Sequence, residues 1–213
     1  MTLNDLKNNY VAKGSKDYIK IIVALFISGF TIFSILYSVQ PLIPHFTKSF
    51  NVSETVASLA LSSATITLAI AMLFFGALSE VLGRKPIMIF SVTTVTLLAL
   101  VQPFVVDFNT FLIIRLIQGV CLAGLPSIAM AYIGEEISPH NLPEAMGIYI
   151  SGNAFGGAFG RIFTGFISSI YGYQIGLLSI AIISVIATIM FVFLIPKSKH
   201  FEKQPFSVKA LLI

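Results

Sequence analysis

Two arginines stand inside long apolar stretches of the sequence, where an ionised side chain is costly. Arg115 is followed by Gln118 and Gly119, and helical spacing of three and four residues puts all three on one face. Arg161 ends a second, glycine-rich stretch. An arginine at membrane depth typically faces a cavity or a partner group, and the alternative is a side chain that reaches back to the surface. The chemistry such residues offer is recognition of a negative group within an apolar medium.

The glycine-rich stretch carries two different stripes on adjacent faces of a helix. The bare stripe consists of Gly152, Gly156 and Gly160, and the polar stripe, about 100° further round, consists of Asn153, Gly157 and Arg161. A lipid-facing surface has neither character. Glycines at every fourth position favour close packing of helices, so the stripes predict either a cavity wall or a tight helix contact.

Neither arginine has an obvious counter-charge in the sequence. Arg115 lies roughly 9 Å from the end of its stretch, and Arg161 lies about 24 Å from the start of its own, which puts both in the same third of the membrane. Like charges at one depth repel unless a negative group lies between them. The nine acidic residues fall in loops, tails or helix ends: Asp5, Asp17, Glu54, Glu80, Asp107, Glu135, Glu136, Glu144 and Glu202. We therefore expect the counter-charge to come from a second half of the protein or from an anionic substrate.

A ten-residue stretch from Gly76 to Lys85 separates two apolar runs with charged side chains. Gly76 is expected to allow close helix approach, and Gly83 to allow a left-handed turn. Glu80 and Arg84 are spaced to form an ion pair. The alternative is a solvated loop whose charges only set the orientation of the neighbouring helices.

Composition identifies the elements that carry these residues as membrane helices. The chain has 213 residues, of which 56% are hydrophobic and 10% are charged, against about 25% charged in soluble domains. Unbroken apolar stretches of about 20 residues span a bilayer as helices. Six segments qualify: 19–43, 56–79, 86–106, 109–133, 145–168 and 173–195. The basic residues are not grouped as a nucleic-acid footprint, so we expect the lipid bilayer as a partner and no nucleic acid.

The distribution of Lys and Arg predicts the orientation. One side, taken as cytoplasmic, carries Lys7, Lys13, Lys16, Lys20, Arg84, Lys85, Lys197, Lys199, Lys203 and Lys209, whereas the other carries only Lys48. This asymmetry follows the positive-inside rule. We expect a multi-pass protein of the plasma membrane with a cytoplasmic tail at 1–18, a six-helix domain at 19–195, and a cytoplasmic linker at 196–213 that opens a further segment. The chain therefore looks like a fragment or a half whose partner is absent.

A weak internal repeat relates the two halves of the six-helix domain. Gly76-x-x-Ser79-x-x-x-Gly83 follows the second segment, and Gly165-x-x-Ser168-x-x-x-Gly172 follows the fifth. The two copies fall on opposite sides of the membrane. This pattern predicts an all-α membrane protein built from two inverted three-helix repeats, a device of secondary transporters.

The motifs together resemble the major facilitator superfamily. Gly76, Leu78, Gly83, Arg84 and Lys85 match its cytoplasmic loop signature Gly-x-Leu-Ala-Asp-Arg-x-Gly-Arg-Lys, with Ser79, Glu80 and Val81 as departures. The resemblance implies that this loop locks the cytoplasmic gate. Arg115, Gln118 and Gly119 are similar to the family's Arg-x-x-Gln-Gly element, which implies a part in proton coupling. The glycine-rich stretch is similar to the antiporter signature of the fifth helix, with Gly157 where proline is usual and Arg161 where the last glycine is usual.

This resemblance implies half of a facilitator-type fold and proton-coupled efflux of small drug-like or sugar-like molecules. A second six-helix half would complete it by alternating access. Tyr37 and Gln40, just before Pro41, are candidates for the cavity wall or for a simple turn. No cofactor, metal or enzymatic activity is expected: an intramembrane serine protease needs a histidine within a span, and we place His45, His140 and His200 outside the spans. The alternative function is that of a non-transporting membrane protein that binds a partner.

Overall fold

The computed structural model describes residues 10–198 and 201, and within them the chain is helical throughout, with one isolated parallel bridge between Val11 and Ile137. The expected continuation at 206–213 lies outside these residues. The described residues contain eight α-helices in this order: α1 (Lys16–Tyr37), α2 (Ile43–Phe50), α3 (Glu54–Leu82), α4 (Arg84–Val101), α5 (Phe108–Leu122), α6 (Pro126–Glu136), α7 (Leu142–Tyr171) and α8 (Tyr173–Leu194).

The predicted all-α membrane fold is confirmed, but two of its six segments are broken. The first consists of α1, a 3₁₀ turn at Gln40–Leu42 and α2, so it continues beyond its expected end at residue 43. His45 therefore lies in helix α2 and not in a loop. The fourth consists of α5 and α6, with a break before Pro126. These two segments occupy equivalent places in the two three-helix units.

Five stretches of the described chain are both long and apolar enough to cross a membrane: Lys16–Phe50, Glu54–Leu82, Arg84–Phe104, Phe108–Glu136 and Tyr173–Leu194. Helix α7 has the length, at 30 residues, but its glycines, Asn153 and Arg161 lower its hydropathy. The helix starts on one side of the bundle are capped by side chains. Ser53 accepts from the amide of Val56, and Asp107 accepts from that of Thr110, as expected at N-caps.

The two copies of the repeat have the same local structure. Gly83 has φ of +98° and ψ of 148°, and Gly172 has φ of +88° and ψ of 162°. Each is the single residue between two helices, and each donates its amide to a serine carbonyl, at 3.0 Å, from Ser79 and Ser168 respectively. Only glycine adopts such dihedrals without strain. The ψ angles of both glycines are far above the value of about 47° of the left-handed helical conformation. Gly83 therefore has the positive φ expected of it, but not a left-handed helical turn.

Packing within the bundle follows the same pairing. Helix α7 packs most extensively on α1, and α3 packs most extensively on α5, which are equivalent pairs under the repeat. At the end of the bundle that holds Asp107, an aromatic cluster joins α2, α5 and α8. Its centre is Phe46, fully buried, with ring centroids 5.1 Å from Phe111 and 5.6 Å from Tyr173. We call the opposite end, where α3 meets α4, the Arg84 end.

Candidate functional site

Arg115 is sealed inside the bundle. Its side chain has no exposed surface. Nε donates to the carbonyl of Ala60 at 2.6 Å, Nη2 to that of Leu36 at 2.9 Å, and Nη1 to Oε1 of Gln118 at 2.7 Å. These neutral oxygens belong to α3, α1 and α5, so the guanidinium joins three helices. Of the cavity or partner group expected for Arg115, the described residues supply partners, and all of them are neutral. The counter-charge expected from a second half or an anionic substrate stays a prediction.

A second amide extends this network, and sequence reasoning missed it. Gln102, 2% exposed, donates from Nε2 to Oε1 of Gln118 at 3.0 Å. Gln118 in turn donates to the carbonyl of Val95 at 3.3 Å. Gln102 opens the 3₁₀ turn after α4, and Pro103 beside it was the available signal of a turn. The network therefore fixes the end of α4 against α5.

Gly119 packs against a neighbouring helix and does not line a cavity. A Cβ there would lie 2.8 Å from Cα of Ala64, closer than real side chains approach backbone. Thr67 of α3 also donates to the carbonyl of Leu116 at 3.0 Å. The contact of α5 with α3 is thus too close for a larger residue at position 119.

Arg161 lies in a different setting, half-buried beside the break in the first segment. Its guanidinium carbon is 3.8 Å from the ring centroid of Tyr37. Nε donates to Oε1 of Gln40 at 2.6 Å, and Nη1 donates to the carbonyl of Gly157 at 3.2 Å. Four residues singled out from the sequence thus meet at one point, and the 3₁₀ turn after α1 is what brings Gln40 to the arginine.

The bare glycine stripe forms the contact between α7 and α1. A Cβ at Gly152, Gly156 or Gly160 would lie 2.9, 2.6 or 2.8 Å from the Cα of Phe26, Phe30 and Ser34, respectively. Ser34 also donates to the carbonyl of Gly156 at 2.9 Å. Asn153, on the neighbouring stripe, lies against Gly29, and its buried Oδ1 has no hydrogen-bond partner among the described residues.

At the Arg84 end, the expected loop is helical. Helix α3 continues to Leu82 and α4 begins at Arg84, so Gly83 alone separates them. Arg84 donates to Oε1 of Glu135 from Nε at 3.0 Å and from Nη2 at 2.8 Å, and to the hydroxyl of Ser79. Glu80, the partner expected from spacing, is 4.0 Å away, so Glu135 is the main partner.

Gly76 does not have the role expected of it within this chain. A Cβ at Gly76 would meet nothing within 4 Å among the described residues, so no close helix approach depends on it here. The glycine that does hold α3 near a neighbour is Gly119, across the interface.

The segment after α8 and the segment before α1 are both fastened at the Arg84 end. Lys85 donates to the carbonyl of Ile195 at 2.6 Å, and Ser198 donates to Oε1 of Glu136 at 2.6 Å. Lys13 pairs with Glu144, and this hydrogen bond raises the pKa of the Lys13 amino group. All six membrane segments are therefore tied together by polar contacts at this end.

Comparison with known proteins decides the family. The family model described as Major Facilitator Superfamily matches residues 25–211. The chain belongs to the major facilitator superfamily. Relatives in this superfamily include YybF of Bacillus subtilis, an uncharacterized MFS-type transporter that is 52% identical over 192 residues, 90% of this chain and 48% of the relative. YnfM of Escherichia coli, an inner membrane transport protein, is 33% identical over 206 residues, 97% of this chain and 49% of its own length.

Solved structures agree on the fold. The proton:xylose symporter XylE matches with a TM-score of 0.74 at 15% identity, over 84% of this chain and 45% of the other. The human organic anion transporter MFSD10 matches with a TM-score of 0.69 at 18% identity, over 89% of this chain and 50% of the other. The chain thus spans about half the length of the superfamily members it matches and corresponds to their N-terminal half. It is a multi-pass membrane protein of a transporter superfamily whose members are generally not enzymes.

Proposed function

We propose that this chain forms one six-helix half of a secondary transporter that exports small organic molecules in exchange for protons. The observation that carries the proposal is the clasp at the Arg84 end, where Arg84 of α4 is held by Glu135 of α6. The Arg84 and Glu135 side chains are 11% and 25% exposed, and an ion pair that water can reach costs less free energy to break than a fully sealed one, so this end suits a gate. A second six-helix half would move against this one and expose a shared site to each side in turn.

The direction and orientation are part of the same proposal. The Arg84 end faces the cytoplasm because it holds the excess of Lys and Arg, and both termini lie on that side of the plasma membrane. Export is supported by similarity to PmrA of Streptococcus pneumoniae, a multi-drug resistance efflux pump that is 30% identical over 161 residues, 72% of this chain and 40% of its own length.

We assign coupling to Arg115 and Gln118 of the sealed network, with Gly119 holding α5 close to α3 beside them. No carboxylate of the described residues contacts Arg115, so the proton carrier is expected on the second half. Arg115 would then respond to that proton through α1 and α3, whose carbonyl oxygens it holds.

Transport measurements test the proposal. Reading the coding DNA beyond codon 213 first shows whether six further spans follow. Everted vesicles carrying the protein with those spans are then given a proton gradient, and loss of the gradient is followed by dye fluorescence after addition of ethidium, arabinose or benzoate. The expected result is dissipation by at least one compound, lost in Arg115→Met, a variant of similar volume that leaves no buried charge.

Three outcomes would contradict parts of the proposal. If none of the three compounds dissipates the gradient, the result favours the alternative function, that of a non-transporting membrane protein. If Arg115→Met transports at the wild-type rate, the coupling role is wrong. Labelling of a cysteine introduced at exposed Lys13 from outside intact cells would contradict the orientation.

A further inference from the structure

We infer that Arg161, Gln40 and Tyr37 form a binding site for the carboxylate of a small organic anion. The inference rests on the proposed transport function and names the substrate class. The three arginines of the chain differ in their surroundings. Arg84 is neutralised by Glu135, and Arg115 is enclosed on every side. Arg161 is half-buried, and no carboxylate of the described residues pairs with it.

The guanidinium of Arg161 retains unused donors. Its five N–H groups donate two hydrogen bonds in the described structure, from Nε to Gln40 and from Nη1 to Gly157. Nη2 and one N–H of Nη1 have no acceptor there. A carboxylate binds such a pair of donors in a bidentate manner, with charge assistance. The free edge therefore matches an anionic oxygen pair better than any neutral group.

A second donor lies beside the first. Gln40 is exposed, and because its Oε1 accepts from Arg161, its amide NH₂ is directed away from that bond and has no acceptor among the described residues. In the proposed site this amide is the second donor to the anion, because Gln40 is bonded to the same guanidinium. Two donors of this kind would distinguish a carboxylate from a halide.

The arginine is held in place before any ligand arrives. The Tyr37 ring lies against its face at 3.8 Å, and Gln40 and Gly157 fix two of its nitrogens. A side chain that is already ordered loses less entropy on binding. The ring also keeps the cation stable in the absence of a counter-ion.

The surface next to Arg161 leaves room for the rest of the ligand. Ala158, one turn earlier on α7, is exposed, and Gly165, one turn later, packs on Pro41. The exposed rings of Phe155 and Phe166 lie further round the same exposed side of α7, about 60° and 80° from Ala158. An apolar body attached to the carboxylate would lie over the small side chain of Ala158, between Arg161 and these rings.

Ligand-induced stabilisation of the purified 213-residue chain in detergent tests the site. Sodium benzoate is titrated at constant ionic strength, and the thermal midpoint is followed, with neutral benzamide as the matched compound. The expected result is a saturable rise with benzoate and none with benzamide. Arg161→Gln should weaken benzoate binding by about tenfold or more, and Arg161→Lys by less, because a lysine keeps the charge but loses the fork. Lys13→Gln, which removes one positive charge at the Arg84 end, should leave affinity within about twofold.

Three results would overturn the site: no saturable rise with benzoate, an equal rise with benzamide, or equal benzoate affinity in Arg161→Gln. Circular dichroism and the ligand-free midpoint show whether each variant folds, and Gln40→Ala, expected to weaken binding several-fold, replaces Arg161→Gln if the latter does not. Benzoate binding by the purified chain, with no dissipation of the gradient by any of the three compounds in vesicles, would contradict the transport proposal and leave the site standing. Dissipation by ethidium alone, without benzoate binding, would do the reverse.

Discussion

Arg115 and Arg161 contact consecutive residues of α1: the first bonds to the carbonyl of Leu36, and the second lies against the ring of Tyr37. The last turn of α1 therefore separates two cations, and its own C-terminal carbonyls give it a partial negative charge that favours both. This arrangement reduces the electrostatic repulsion expected between two arginines at one depth. One is enclosed by neutral oxygens and the other faces open space.

The cation–π contact between Tyr37 and Arg161 should contribute measurably to stability. Tyr37→Leu is expected to lower the free energy of unfolding by about 1 kcal/mol relative to Tyr37→Phe, which keeps the ring. The difference should disappear in an Arg161→Gln background. Unfolding by sodium dodecyl sulfate in mixed micelles measures all four variants. A difference that persists without Arg161 would mean that the ring acts only through packing.

Glu135 should matter more than Glu80 for the clasp on Arg84. A double-mutant cycle between Arg84→Gln and Glu135→Gln is expected to give a coupling free energy of about 2 kcal/mol, because two charge-assisted hydrogen bonds are lost from a largely buried arginine. The same cycle with Glu80→Gln should give about 0.5 kcal/mol or less, as for exposed pairs. Equal coupling in both cycles would contradict the assignment of Glu135 as the main partner.

The stripe on α7 should tolerate no methyl group at Gly156. Gly156→Ala puts a Cβ against the backbone of Phe30 and is expected to cost about 1–3 kcal/mol through forced separation of α7 from α1. Gly147→Ala on the same helix is the control, because a Cβ there meets nothing within 4 Å among the described residues. It should be neutral or slightly stabilising, since alanine is the better helix former. The free energies of unfolding of both variants are measured in mixed micelles. An equal change in the two would contradict the packing role of Gly156.

Phe46 should be the most sensitive position of the aromatic cluster. Phe46→Ala leaves a cavity among rings from α2, α5 and α8, and a loss of about 3–5 kcal/mol is expected. Phe193, 84% exposed in this chain, is the control: Phe193→Ala opens no internal cavity and should cost far less. The thermal midpoints of the two variants are compared in detergent. Similar decreases in both would show that burial of the ring in this half does not determine the loss of stability.

Hydropathy predicted the membrane segments because each segment is long. Mean hydropathy over a window of this length is insensitive to short interruptions of the helix. The break before Pro126 was missed for that reason. The turn after Tyr37 was one of two alternatives considered, but the helix that follows it was not expected. Charge in the stretch before Arg84 suggested a loop, yet charged residues are compatible with the end of a helix. The glycine spacing predicted a face correctly, since helical periodicity alone determines which residues share one.

Partners across helices could not be predicted in the same way. Gln102 reaches Gln118 only because α4 and α5 pack side by side, and no local pattern encodes that contact. Spacing along the chain offered Glu80 as the partner of Arg84, whereas the packing of α6 on α4 brings Glu135 to it. Gln40 and Arg161 were both noted, but their meeting depends on the turn that hydropathy did not detect.

The single-glycine joints at Gly83 and Gly172 fix the rotational phase of the helices that follow them. One added residue at either joint would rotate the next helix by about 100° about its own axis, and would present the buried side chains of α4 or α8 to lipid. An insertion or deletion of one residue at either joint would thus turn the buried face of the following helix outward. A joint of one residue gives the second and third spans, and likewise the fifth and sixth, very little length in which to separate, so we expect each pair to move together.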